Sequence, residues 1–251
     1  MSDPSRPLPA AADPLAETFG AASVAAEERR SLIRSTFRSV APRYDLMNDL
    51  MSLGIHRGWK STFAALADPR PNERALDLAG GTGDVAFRLD ARGAIVTVAD
   101  PSVEMMAVGQ ARPGGERLRW VEAEAEALPF PDGHFDLVTI AFGIRNVTRL
   151  DAALGEIHRV LRPGGRFFCL EFSEPRAWLA PFYRLWSRTA IPVLGAAVSG
   201  RREAYRYLVE SIARFPDQET FAAHVRAAGF DDVRWRDLSF GIAAIHSGRR
   251  A

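Results

Sequence analysis

Residues 76–84 read Leu, Asp, Leu, Ala, Gly, Gly, Thr, Gly, Asp, an apolar strand that runs straight into a glycine-rich turn and a helix start. Glycines let the backbone approach a ligand where any Cβ would collide, and the helix N-terminus that follows offers unpaired N–H groups. The pattern around it repeats the same logic. From Arg74 onward, short apolar runs alternate with helix-compatible segments, the signature of β/α units around a mainly parallel sheet. Strands are expected at residues 74–79, 94–99, 118–122, 135–142 and 166–172, with a closing pair at 233–238 and 242–246. The expected fold is therefore α/β and Rossmann-like, with a seven-stranded sheet and helices on both faces.

Helix punctuation supports this division. Pro101 and Ser102 open a segment that Pro113, Gly114 and Gly115 stop, and Asp151 is expected to cap a helix terminated by Pro163, Gly164 and Gly165. Residues 1–30, rich in Pro, Ala and acidic side chains, are expected to form a mobile leader that turns helical near Glu27. Residues 31–251 then make one domain. An insertion at 173–217, rich in Trp, Tyr, Phe and Arg, is too long for a plain crossover and is expected to cover the substrate.

Composition removes several classes of function. The formal net charge is +1 with both signs interspersed, so a nucleic-acid partner is not expected. Lys60 is the sole lysine, and the abundant arginine reads as compositional bias rather than phosphate recognition. Cys169, the single cysteine, sits in an apolar run, so neither an intramolecular disulfide nor a cysteine metal cluster is expected, and no metal is assigned. Asp3, Asp13 and Glu17 argue against a transit peptide, and no run reaches the roughly 20 apolar residues that cross a bilayer. A cytoplasmic protein, at most peripheral at the inner face of the membrane, is the expectation.

The glycine turn is followed one strand later by Asp100, placed to accept both ribose hydroxyls of a nucleoside. A dinucleotide fingerprint does not fit. Gly81, Thr82 and Gly83 are followed by Asp84, which would repel a pyrophosphate but is compatible with the sulfonium and amino group of S-adenosylmethionine. Asp77 either binds the ligand or orders the loop. After the third strand, Glu124 could accept from the adenine N6 amine while the Ala125 N–H faces a ring nitrogen. Residues 127–131 then supply apolar walls, or serve only as a turn.

Four strings, RYDLMNDLMSLGIHRGWK (43–60), LDLAGGTGD (76–84), ALPFPDGHFD (127–136) and FGIRNVT (142–148), with VLRPGG and YRYLVESI, resemble the UbiE-type quinone C-methyltransferases. The resemblance runs from about residue 19 to 248. It implies a class I methyltransferase fold, S-adenosylmethionine as cofactor, and a polyprenylated quinol precursor of menaquinone or ubiquinone as methyl acceptor. It also implies cofactor contacts from Thr82 and Asp100, from the Glu124–Ala125 pair, and from Ala141 in the fourth strand, beside the Asp77, Ala79, Gly81 and Gly83 positions expected from the glycine turn itself. Two of these depart from the family pattern, because Glu124 stands where asparagine is usual and Ala141 where serine is usual. Those departures keep two alternatives in play: another phenolic or lipid acceptor, and a catalytically silent cofactor-binding scaffold in a quinone-synthesis complex.

Methyl transfer to a ring carbon requires a phenolate that pushes charge onto that carbon, held in line with the methyl group. Arg145 could stabilise the phenolate and Asn146 orient an oxygen, while Tyr44 or His56 relays a proton. Equally, Arg145 could pair with Asp45 or Asp49, and His56 could serve a turn between Gly54 and Gly58. Residues 178–198, with Arg184 and Arg188, fit either a lid over an isoprenoid channel or a homodimer interface. Tyr205 and Tyr207 fit the mouth of that channel or a solvated helix face.

Overall fold

The computed structural model describes residues 18–19, 22–23, 25–40, 54–181, 189 and 202–251. Seven strands form one sheet: β1 (Arg74–Leu78), β2 (Ile95–Asp100), β3 (Arg119–Glu122), β4 (Phe135–Ala141), β5 (Leu161–Phe172), β6 (Phe230–Leu238) and β7 (Ala243–Arg250). Their order is β3-β2-β1-β4-β5-β7-β6. The first five pair in parallel, whereas β7 runs antiparallel to both its neighbours. The chain steps outward from β1 in one direction and then restarts at β4 in the other, so a crevice opens over the carboxyl ends of β1 and β4.

The helices are α1 (Ala26–Val40), α2 (Ile55–Ala67), α3 (Asp84–Asp90), α4 (Val103–Gln110), α5 (Leu150–Val160), α6 (Arg202–Arg214) and α7 (Gln218–Ala227). In α5 the buried positions are Leu150, Ala153, Leu154, Ile157 and Val160, a helical stripe that lays one face on the sheet. Strand alternation separates two cores. Leu76 and Leu78 pack with α5 and α7, while Ala75 packs on the opposite side with Trp59 and Phe63 of α2 and Leu89 of α3. Cys169 is buried in the first of these, and burial pushes its thiol well above the usual range.

Two expectations differ from the structure in detail. Helix α5 ends at Val160 and the chain is already paired at Leu161 with Phe135, so Pro163–Gly165 lies inside β5, beside a register shift, rather than between helix and strand. Asp151 does not cap α5. The N-cap is Arg149, and the Thr148 and Arg149 N–H groups donate to Glu126 Oε1 at 2.6 and 3.2 Å, a cap supplied from another segment. Helix α1 begins at Ala26, in agreement with the helical start expected near Glu27. The middle of the insertion, including Arg184 and Arg188, lies outside the described residues; Trp178 is exposed and α6 closes the segment. Among the described residues, no helix is long and apolar enough to cross a membrane, and no group of three His, Cys, Asp or Glu could hold a metal.

Candidate active site

A cavity of about 1100 Å³, its open mouth included, occupies the crevice at the carboxyl ends of β1, β2 and β4. Its floor is the glycine turn. A Cβ on Gly80 would lie 2.7 Å from Val98 Cγ1 and 2.9 Å from Asp77 Oδ2, so only glycine fits there. Ala79 (φ 50°) and Phe142 (φ 57°) both adopt left-handed backbone at the ends of adjacent strands, a conformation that costs about 1–3 kcal/mol and clusters at ligand sites.

Asp100 ends β2 inside this cavity. Its Oδ2 accepts from the Gly81 N–H and its Oδ1 from the Ser102 N–H, each at 2.8 Å. Those two bonds tie the carboxylate to the glycine turn and to the start of α4, and each oxygen keeps a lone pair for a ligand hydroxyl. Burial pushes this carboxyl up to about 6. Asp77 is pushed up by burial to about 7; its Oδ1 accepts from the Thr139 hydroxyl at 2.9 Å and its Oδ2 from the Ala86 N–H at 3.0 Å. It orders the loop and also lines the cavity.

Asp84 lines the cavity as a neutralised anion. Burial alone would raise its carboxyl, but Lys60 Nζ at 2.9 Å from Oδ2, together with Arg88, brings it down to about 2. Ala79, Gly81, Thr82, Glu124, Ala125 and Ala141 all line the cavity as well. Gly83 stands back from it. It takes φ 77° as the N-cap of α3, and a Cβ there would meet Trp120 at 2.8 Å. Glu124 is engaged by Arg34 of α1, whose Nε donates to Oε1 at 3.1 Å.

The opposite wall of the cavity is built at the end of β4. Phe142, Gly143, Asn146, Val147 and Thr148 line it, and Phe142 packs with Phe172 and Trp59 at centroid distances of 4.8 and 6.3 Å. Arg145 is buried behind this wall, with Nη1 2.8 Å from Glu171 Oε1, so its partner is on β5. Burial holds the Glu171 carboxyl above its usual range. His56 is buried on α2, one turn before the lining residue Lys60, and is not itself among the lining residues. Tyr44, Asp45, Asn48 and Asp49 lie outside the described residues, as does the side chain of Tyr205.

Four contributors were not assigned from sequence. Ile33 and Arg34 bring α1 over the cavity, Lys60 holds Asp84, and Glu171 holds Arg145. Lys60 did carry a signal, as the one lysine in a chain that otherwise uses arginine. The donor set fits S-adenosylmethionine: a buried carboxylate with lone pairs to spare for two vicinal hydroxyls, and a turn that admits no Cβ where the ligand must approach the backbone.

Comparison with known proteins agrees with this geometry. Residues 23–250 match the ubiE/COQ5 methyltransferase family. A ubiquinone/menaquinone biosynthesis C-methyltransferase UbiE from Rubrivivax gelatinosus is 60% identical over 95% of this chain and 94% of its own. Its namesake from Acidiphilium cryptum is 53% identical over 95% and 99%. Among solved structures, a Thermotoga maritima SAM-dependent methyltransferase, possible histamine N-methyltransferase, superposes with a TM-score of 0.64 at 19% identity, covering 86% of this chain and 99% of that one, which is a likeness of fold. The chain belongs to the ubiE/COQ5 methyltransferase family and is an S-adenosylmethionine-dependent methyltransferase.

Proposed function

We propose that the protein transfers a methyl group to a ring carbon of a polyprenylated quinol precursor of ubiquinone or menaquinone, working in the cytoplasm against the inner face of the membrane. The observation that carries this reading is the single cavity that joins the Asp100 and glycine-turn half to the aromatic and amide-lined half at Phe142–Asn146. S-adenosylmethionine, when bound, supplies an electrophilic methyl group. The chain's own residues do the rest. Asp100 receives the ribose hydroxyls, Thr82 and Ala125 add contacts along the nucleoside, and the buried α1 side chain Ile33 covers it from above. Gly143 and Phe142 shape the ring site, Asn146 orients a ring oxygen, and the Arg145–Glu171 pair sets the field in which the phenol, and after methylation the ring carbon, gives up a proton to water at the open mouth of the cavity.

A direct test incubates purified protein with methyl-labelled S-adenosylmethionine and, separately, demethylmenaquinol and the methoxybenzoquinol precursor. Label should enter at least one quinol at carbon. Label in neither, from protein that binds the cofactor, would dismiss this acceptor class.

A further inference from the structure

Asn146 lines the cavity, yet its amide is fixed from behind by a residue of another element. The Tyr207 hydroxyl, on α6, donates to Asn146 Oδ1 at 2.9 Å. Tyr207 is 4% exposed, and burial holds its phenol above the usual range, so the hydroxyl keeps its proton and acts as the donor. The Asn146 backbone is pinned as well: its N–H donates to Gly143 O at 3.0 Å, and its carbonyl accepts from Arg29 Nη1 at 3.1 Å. A side-chain amide has one acceptor end and one donor end. With Oδ1 committed to Tyr207, what Asn146 presents to a bound molecule is its NH2.

We propose that Tyr207 is a positioning residue for the methyl transfer, holding the Asn146 amide so that its donor end meets the ring oxygen that becomes negative as the acceptor reacts. The inference rests on the quinol reading above and assigns the orientation of one of its groups. A neutral phenol gains little from an additional N–H donor, whereas a developing phenolate gains much more, so the contact acts mainly in the transition state. Without the Tyr207 hydroxyl the amide is free to turn over and set its carbonyl against the same oxygen. The loss should therefore fall on kcat and leave KM in place.

The test compares wild type with Tyr207→Phe, Asn146→Ala, Asn146→Asp and the Tyr207→Phe/Asn146→Ala double variant, in the complete chain. Each is measured for kcat and KM with the quinol that wild type methylates, for S-adenosylmethionine affinity by calorimetry, and for melting temperature. Tyr207→Phe keeps the ring and should lower kcat about tenfold, the scale of one lost hydrogen bond, with KM and cofactor affinity unchanged. The double variant should be no slower than Asn146→Ala alone, because the hydroxyl acts only through the amide. Asn146→Asp keeps an acceptor for Tyr207 but has no donor end, and should be as slow as Asn146→Ala. Full kcat in Tyr207→Phe or in Asn146→Asp would overturn the proposal. So would independent, multiplying losses in the double variant, or a Tyr207→Phe defect that appears equally in cofactor affinity. Asn146→Asp decides the matter even where the Tyr207 variants do not fold. Wild-type protein that binds cofactor but methylates no quinol would instead remove the acceptor reading itself, an outcome distinct from any pattern among the variants.

Discussion

At the scale of single residues, two acids of opposite character, Asp100 and Asp84, set the chemistry of the cavity floor. Asp100, pushed up to about 6 by burial, serves a ligand best when ionised, since only then do both oxygens accept freely. Cofactor affinity should therefore weaken about tenfold for each pH unit below about 6, and Asp100→Asn should flatten that dependence; titration calorimetry between pH 5 and 8 checks both. Asp84 is the opposite case, held at about 2 by Lys60 and Arg88. Its contribution to stability is present above the ordinary value of 3.8 and is lost as pH falls through 2. Lys60→Met removes one partner of a largely buried pair, with Arg88 left to compensate in part, and should cost about 1–3 kcal/mol in a urea melt at pH 7. An unchanged midpoint would show that Arg88 alone suffices.

At the scale of elements, helix α1 matters more to the site than its place ahead of the sheet suggests. Arg29, 2% exposed, donates to the carbonyls of Arg145, Asn146 and Val147, and so fastens α1 to the turn after β4. That fastening holds Ile33 and Arg34 over the cavity. Arg29→Met should loosen α1, raising its rate of proteolytic cleavage and weakening cofactor binding about tenfold or more, while the melting temperature of the sheet core changes little. None of this was legible in the sequence, because an arginine that binds three carbonyls looks like any other arginine in a chain rich in them. The strands were legible for a physical reason: β1, β2 and β4 are buried on both faces and so read as apolar runs between polar punctuation. Helix ends were less so. The stop at Val160 is followed directly by extended backbone, and the start of α5 is capped by Glu126 from a distant segment, where no local pattern reveals it. The glycine turn and Asp100 could be read because their spacing is local, whereas the partners of Arg145 and Asp84 are set by tertiary contact alone.

At the scale of the whole molecule, the sheet's reversal between β1 and β4 gathers residues from α1, α2 and the ends of three strands around one cavity. Its buried acids also shape global stability. Asp77 and Asp100 hold their protons more tightly folded than unfolded, with values of about 7 and 6 against 3.8. The stability they contribute is therefore full below about pH 4 and is lost as pH rises through those values. S-adenosylmethionine binds the folded state, so at about a hundred times its Kd it should add about 2.7 kcal/mol and raise the melting temperature measurably. The most direct single measurement is a calorimetric titration of S-adenosylmethionine into the wild-type chain and into Asp100→Ala at pH 7.5. One site per chain should appear in wild type, and the affinity should fall at least tenfold in Asp100→Ala. Absence of binding by well-folded wild-type protein, or equal affinity in the two, would contradict the assignment of this cavity.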